Sequence, residues 1–160
     1  MILSELMFKN FFMALAPLLV LCDIGCRSLP PLPPVNIQET GWQVRQGQAV
    51  WRLGREGREI AGEVLVATKD ANRCFVQFSK TPFPLLLAQA EDDRWQVEFP
   101  TEHRHYAGRG TPSQRLIWLY LPRVLTGQPP PKNWTWHQDA NGWRLENLTT
   151  GESVEGFFNQ

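Results

Sequence analysis

The chain has 160 residues with 16 basic and 16 acidic side chains, so its formal net charge is zero. The charges are interspersed, which excludes the basic surface that nucleic-acid binding requires. The length suits one domain with a real core.

The first 26 residues carry the most specific signal. Lys9 precedes the apolar run from Phe11 to Leu21, and Gly25 stands directly before Cys26. The run has the length of a signal-peptide apolar region and is too short to span a bilayer comfortably. This is the layout of a bacterial lipoprotein signal. Residues 1–25 read as an address that is removed, and Cys26 reads as the lipid-attachment site and new N terminus. Asp23 departs from the apolar residue usual at its place, and Glu5 dilutes the basic start. Initiation at Met7 leaves the more ordinary Met7-Phe8-Lys9-Asn10. The alternatives are an uncleaved anchor or a plain secreted protein.

Loss of Lys9, Glu5 and Asp23 with the signal leaves a net charge of +1. Cys22 leaves too and Cys26 carries lipid, so Cys74 has no disulfide partner within the chain. It sits in the strand-like Cys74-Phe75-Val76-Gln77-Phe78 and reads as a small buried residue. A reactive thiol is the sharper alternative, but no histidine is near it in sequence. Residues 26–40 read as lipidated cysteine plus a proline-rich tether that holds residues 41–160 away from the membrane.

From residue 41 the pattern is mainly that of strands. Gly41 to Leu53 carries Trp42 and Val44 on one parity and Ala49, Trp51 and Leu53 on the other, which predicts a bulge near Gly47. Glu59 to Thr68 and Asn72 to Ser79 follow, with a turn between them at Lys69–Asn72. Residues 83–90 form a further strand after Pro82 and Pro84. Glu91-Asp92-Asp93 is a turn. In Arg94 to Phe99, Trp95, Val97 and Phe99 alternate with polar residues, as in a half-buried antiparallel strand.

Thr111-Pro112-Ser113-Gln114 has the form of a helix start with a capping box. The apolar run Arg115 to Leu121 predicts the helix itself, interrupted at Pro122 and ended by Gly127. Being apolar nearly all round, it should be buried on more than one side. Three strands follow at 134–137, 143–147 and 153–158, with turn signals at Asn141-Gly142 and Thr150-Gly151. The expectation is a mainly β (α+β) fold: a curved antiparallel sheet of about eight strands with one inserted apolar helix.

Other chemistry finds little support. Glu102-His103-Arg104-His105 is the best metal candidate, with Glu102 or His137 as a third donor, but a solvated polar loop between strand and helix is the simpler reading. Gly108-Arg109-Gly110 before a helix could hold an anion or simply shape the turn. There is no Gly-x-Ser-x-Gly around any serine. The sequons at Asn133 and Asn147 are expected to be accidental in a bacterial lipoprotein. No enzymatic activity, cofactor or metal is expected.

The chain has seven tryptophans and nine phenylalanines, and all of the tryptophans and six of the phenylalanines lie beyond residue 40, so the domain is rich in large flat apolar side chains, which fill cores or line apolar pockets. The candidate lining of an apolar hollow is Trp42, Trp51, Val64, Val66, Trp95, Val97, Phe99, Trp118 and Leu119. The lipid-signal cysteine, the tether, the curved strands and the motif Arg115-Leu116-Ile117-Trp118-Leu119-Tyr120-Leu121-Pro122 together resemble the LolA/LolB lipoprotein carriers, LolB more closely. The likeness extends loosely over residues 41–158.

That resemblance implies an incomplete β-barrel closed by a helical lid. It implies a lipid-anchored, monomeric protein on the periplasmic face of the outer membrane. Such a protein takes acyl chains of lipoproteins or lipids, from a soluble LolA-like carrier, and delivers them to that membrane. Arg27 after Cys26 fits the outer membrane, because the family's sorting rule reserves Asp there for inner-membrane retention. The resemblance also implies an exposed apolar delivery loop, for which Phe83 and Leu85 in Thr81–Leu85 are the candidates. The alternative reading is a structural or assembly lipoprotein with a filled core that binds a protein partner.

Overall fold

In the computed structural model of the chain, residues 29–70 and 72–159 are described; the signal segment and Cys26 lie outside them. Residues 31–160 form one unit. Its strands are β1 (Gln43–Leu53), β2 (Glu59–Lys69), β3 (Arg73–Lys80), β4 (Phe83–Glu91), β5 (Arg94–Phe99), β6 (Arg104–Arg109), β7 (Trp134–Gln138), β8 (Trp143–Asn147) and β9 (Glu152–Phe158). One helix, α1 (Ile117–Leu125), lies between β6 and β7 in the chain.

The nine strands form a single open antiparallel sheet in the order β6-β5-β4-β3-β2-β1-β9-β8-β7. Two meanders are joined through the β1–β9 pair, which leaves β6 and β7 as opposite edges. The segment carrying α1 therefore connects one edge of the sheet to the other.

Turn chemistry sets the hairpins. Asp70 and Asp92 adopt positive φ in the β2–β3 and β4–β5 turns, a conformation Asp tolerates better than most residues. The Asp139 carboxylate accepts the Asn141 and Gly142 amides before β8. The buried Asn147 side chain accepts the Thr149 and Thr150 amides before β9.

Period-two alternation puts one face of the sheet into the core. Ala49 and Trp51 of β1, Val64 and Val66 of β2, Val76 and Phe78 of β3, Leu86 and Ala88 of β4, Val97 of β5, Leu145 of β8 and Val154 of β9 join one buried cluster. Helix α1 completes it with Ile117, Trp118, Leu119, Tyr120, Leu121 and Val124, lying against β2, β3 and β4.

Several local expectations are corrected. A ninth strand, β6, occupies the polar stretch read as a loop. Its side chains are almost all exposed, so it has no apolar alternation to betray it, and it exists by pairing with β5 from Arg94↔Arg109 to Phe99↔Arg104. No bulge occurs at Gly47, where β1 keeps register with both neighbours. The irregularity falls between Phe78 and Ser79 of β3, opposite β4.

The helix begins at Ile117 with Leu116 at its N-cap and no side-chain cap. Pro112 is buried and its carbonyl accepts the Tyr120 hydroxyl at 2.6 Å, which ties residues 111–116 alongside the helix instead of into it. Pro122 lies within the helix without ending it. The end is at Gly127, at φ +88°, where the Gly127 and Gln128 amides bond the Val124 and Arg123 carbonyls in a Schellman arrangement.

The tether is also not free along its length. Leu32 is buried, and its amide donates to the Gln96 side chain of β5 at 2.8 Å. The Gln89 amide of β4 donates to the Pro33 carbonyl at 2.9 Å. Proline-rich backbone cannot join a sheet ladder, but its carbonyls still accept side-chain hydrogen bonds.

Candidate apolar interior

Of the residues assigned to an apolar lining, Trp51, Val64, Val66, Val97, Trp118 and Leu119 meet in the buried cluster, and Trp95 and Phe99 pack against it half-buried. Trp42 does not join them. It immediately precedes β1, and its ring lies 6.0 Å from the Lys69 ammonium. Parity explains the difference, because β1 runs without a bulge and the even positions face away from the core.

Trp118 is the centre of the arrangement. Its ring stacks on Phe78 at 4.8 Å between centroids and meets Trp51 edge-on at 5.5 Å. Trp51 stacks in turn on Phe99 at 6.4 Å. The interior at this level is thus filled by a side chain that the helix supplies. The strands leave the room: Ala49 and Ala88 are small and fully buried, and Gly62 pairs with Ala49 across the ladder.

The interior is almost without polar groups. The indole N–H groups of Trp95, Trp118, Trp134 and Trp143 are buried with no hydrogen-bond partner. Buried donors are normally satisfied, and each one left unpaired costs about 1–3 kcal/mol. The Trp51 indole differs, donating to the Glu152 carboxylate at 3.1 Å. Burial pushes the Glu152 pKa up, and the indole bond partly offsets this.

An apolar groove lies on the opposite face. It encloses about 490 Å³ between β9, β1, β2 and the end of β3, with Val50, Ala61 and Phe157 as its apolar walls. A smaller polar cleft of about 200 Å³ beside the end of α1 is lined by Arg73, Arg94 and Arg123, with Cys74 at its wall. Cys74 is buried as expected, and desolvation raises its thiol pKa to about 11.

The delivery-loop candidates separate. Phe83 opens β4 and is 63% exposed, whereas Leu85 packs against the core. His103 caps a single 3-10 turn (Pro100–Glu102) while His105 is on β6, so the two histidines do not share a strand face. Among the described residues no group of three potential ligands converges. Gly108-Arg109-Gly110 is not at the helix start either: Arg109 ends β6, paired with Asp93 at 3.1 Å.

Sequence reasoning missed Phe78, Leu86, Leu145 and Val154 as interior residues. The alternation Cys74, Val76, Phe78 was a usable signal for the first. The others sit in runs whose parity only the register decides. No family model matches the chain, and no curated protein matches it. The likeness to the LolA/LolB carriers rests on the sequence pattern.

Proposed function

We propose that this is an outer-membrane lipoprotein that carries acyl chains of lipoproteins or lipids in the space now occupied by α1, and that the fold described is its closed, unloaded form. What carries the reading is that Trp118, a helix side chain, fills a hollow which the strands leave lined with Ala49, Ala88, Phe78 and Trp51. The helix acts as a lid over a curved sheet. The absence of a side-chain cap at its start and the missing N–H at Pro122 both weaken it as an independent element.

Its tyrosine bonds its own leading segment and not the sheet, so lifting the lid breaks mainly apolar contacts, which an acyl chain can replace. Each CH₂ so buried contributes roughly 0.8 kcal/mol. The unpaired indole N–H groups of Trp118, Trp134 and Trp143 are donors that ester or amide carbonyls of an acylated ligand would satisfy. No covalent step is required, and the partners are the acylated ligand, a soluble carrier of the LolA type and the membrane that holds Cys26.

The test is titration with a triacylated lipopeptide, followed by tryptophan fluorescence. Saturable binding near one to one supports the carrier. Absence of binding by a cooperatively folded protein refutes it and favours the assembly reading. In that second reading the filled interior is permanent and a protein partner is held elsewhere; the apolar groove at Val50, Ala61 and Phe157 is the observation in its favour. Phe83 remains the delivery residue to test. Phe83→Glu should impair transfer to vesicles and leave lipopeptide binding intact, whereas equal loss of both sinks that role.

A further inference from the structure

The stretch read as a spacer is instead laid across the sheet. Leu32 bonds Gln96 on β5, Pro33 bonds Gln89 on β4, and Glu39 pairs with Lys69 of β2 at 3.5 Å. Gln96 also donates to Gln89 at 3.2 Å, so the two side chains act as one bracket. Leu32 and Gln89 are only 6% and 7% exposed. The strip therefore crosses strand by strand from β5 towards β1 on the face away from the core. Followed backwards, the chain leaves the sheet at β5, beside the edge strand β6.

This has a geometric consequence for a protein anchored at Cys26. Between the lipid and the docked Leu32 lie only residues 27–31. Fully extended, they reach about 20 Å. The two sheet edges are eight strand spacings apart, about 38 Å along the sheet. Such a leash cannot let both edges visit the membrane equally.

We infer that residues 32–36 are a strap that holds the β5–β6 side of the domain against the phospholipid surface carrying the anchor. The inference rests on lipid attachment at Cys26. The surface presented there bears Arg104, His105, Tyr106 and Arg109 on an exposed edge strand, side chains with apolar stems or rings and polar ends that suit a headgroup layer. Arg104 and Arg109 are paired with Glu102 and Asp93, so the leash, more than net charge, sets the orientation.

The test uses the full-length protein reconstituted in vesicles of phosphatidylethanolamine and phosphatidylglycerol that include a nitroxide-labelled lipid. Fluorophores are placed at His105→Cys on β6 and, separately, at Thr135→Cys on β7. The strap predicts stronger quenching at position 105. It also predicts loss of that difference when ten Gly/Ser residues are inserted after Ser28. Hydrogen exchange, read on the same protein, should show the Leu32 amide protected, with Gln96→Ala speeding its exchange about tenfold through loss of its acceptor.

Equal quenching at both edges on a protein whose mass shows lipid at Cys26 overturns the orientation alone. An unprotected Leu32 amide overturns the strap. A mass without lipid at Cys26 overturns the anchored reading, and the orientation with it.

Discussion

Trp118 is the residue on which the interior depends, and Trp118→Ala is the perturbation that measures it. Burying an indole removes roughly 200 Å² from water. At about 25 cal/mol per Å² that is ~5 kcal/mol, reduced to about 3–4.5 against a realistic unfolded chain. The contacts with Phe78 and Trp51 each add about 0.5–1.5 kcal/mol. In the other direction, the substitution removes an unpaired buried N–H, which relieves about 1–3 kcal/mol. The expected net loss is about 4 kcal/mol, in line with other buried Trp→Ala changes.

With a urea m-value of about 2 kcal/mol/M, the unfolding midpoint should fall by ~2 M, read by far-UV circular dichroism. Trp118→Phe keeps a ring against Phe78 and deletes the orphaned donor, so it should cost no more than about 1.5 kcal/mol. A Trp118→Ala shift below about 0.5 M, or a Phe variant as unstable as the Ala variant, would refute the view that this ring fills the interior by packing alone.

Glu152 gives a pH signature. Its folded pKa is raised by burial above the reference 4.5, so the native state binds the proton more tightly than the unfolded one. Its favourable contribution is full below pH 4.5 and is lost as pH rises through the folded pKa. Glu152→Gln, which keeps an acceptor for Trp51, should raise the Tm at pH 7 and leave it unchanged below that point; a pH-independent effect contradicts this. Cys74, with its thiol at about 11, should react with a disulfide reagent at pH 8 about a hundredfold more slowly than in urea. Fast labelling of the folded protein would place it at the surface instead. Gly156→Ala should lose about 1–3 kcal/mol by chemical denaturation, because the added methyl overlaps the Gln48 carbonyl and presses on Ala49. Full stability there would mean that β1 and β9 are less closely apposed.

The mainly antiparallel strands and the apolar helix among the described residues are local properties, and the sequence alone determined them. Turn residues, period-two alternation and an apolar run each act over a few neighbouring residues. Trp51, Val64, Val66, Val97 and Trp118 were legible as interior for the same reason. What tertiary structure decided depends on pairing between distant segments. Strand β6 has no apolar face, so only β5 beside it makes it a strand. Trp42 looked equivalent to Trp51 until the unbroken register of β1 put it on the other face. The capping box at Thr111–Gln114 yielded to burial of Pro112 and its bond to Tyr120. The tether read as free because prolines carry no sheet signal, and its docking comes from Gln89 and Gln96, more than fifty residues along the chain. What packs against Trp51 and Phe78 is decided by Trp118 from a separate segment of the chain, since packing is a property of the pair and not of either strand or helix alone.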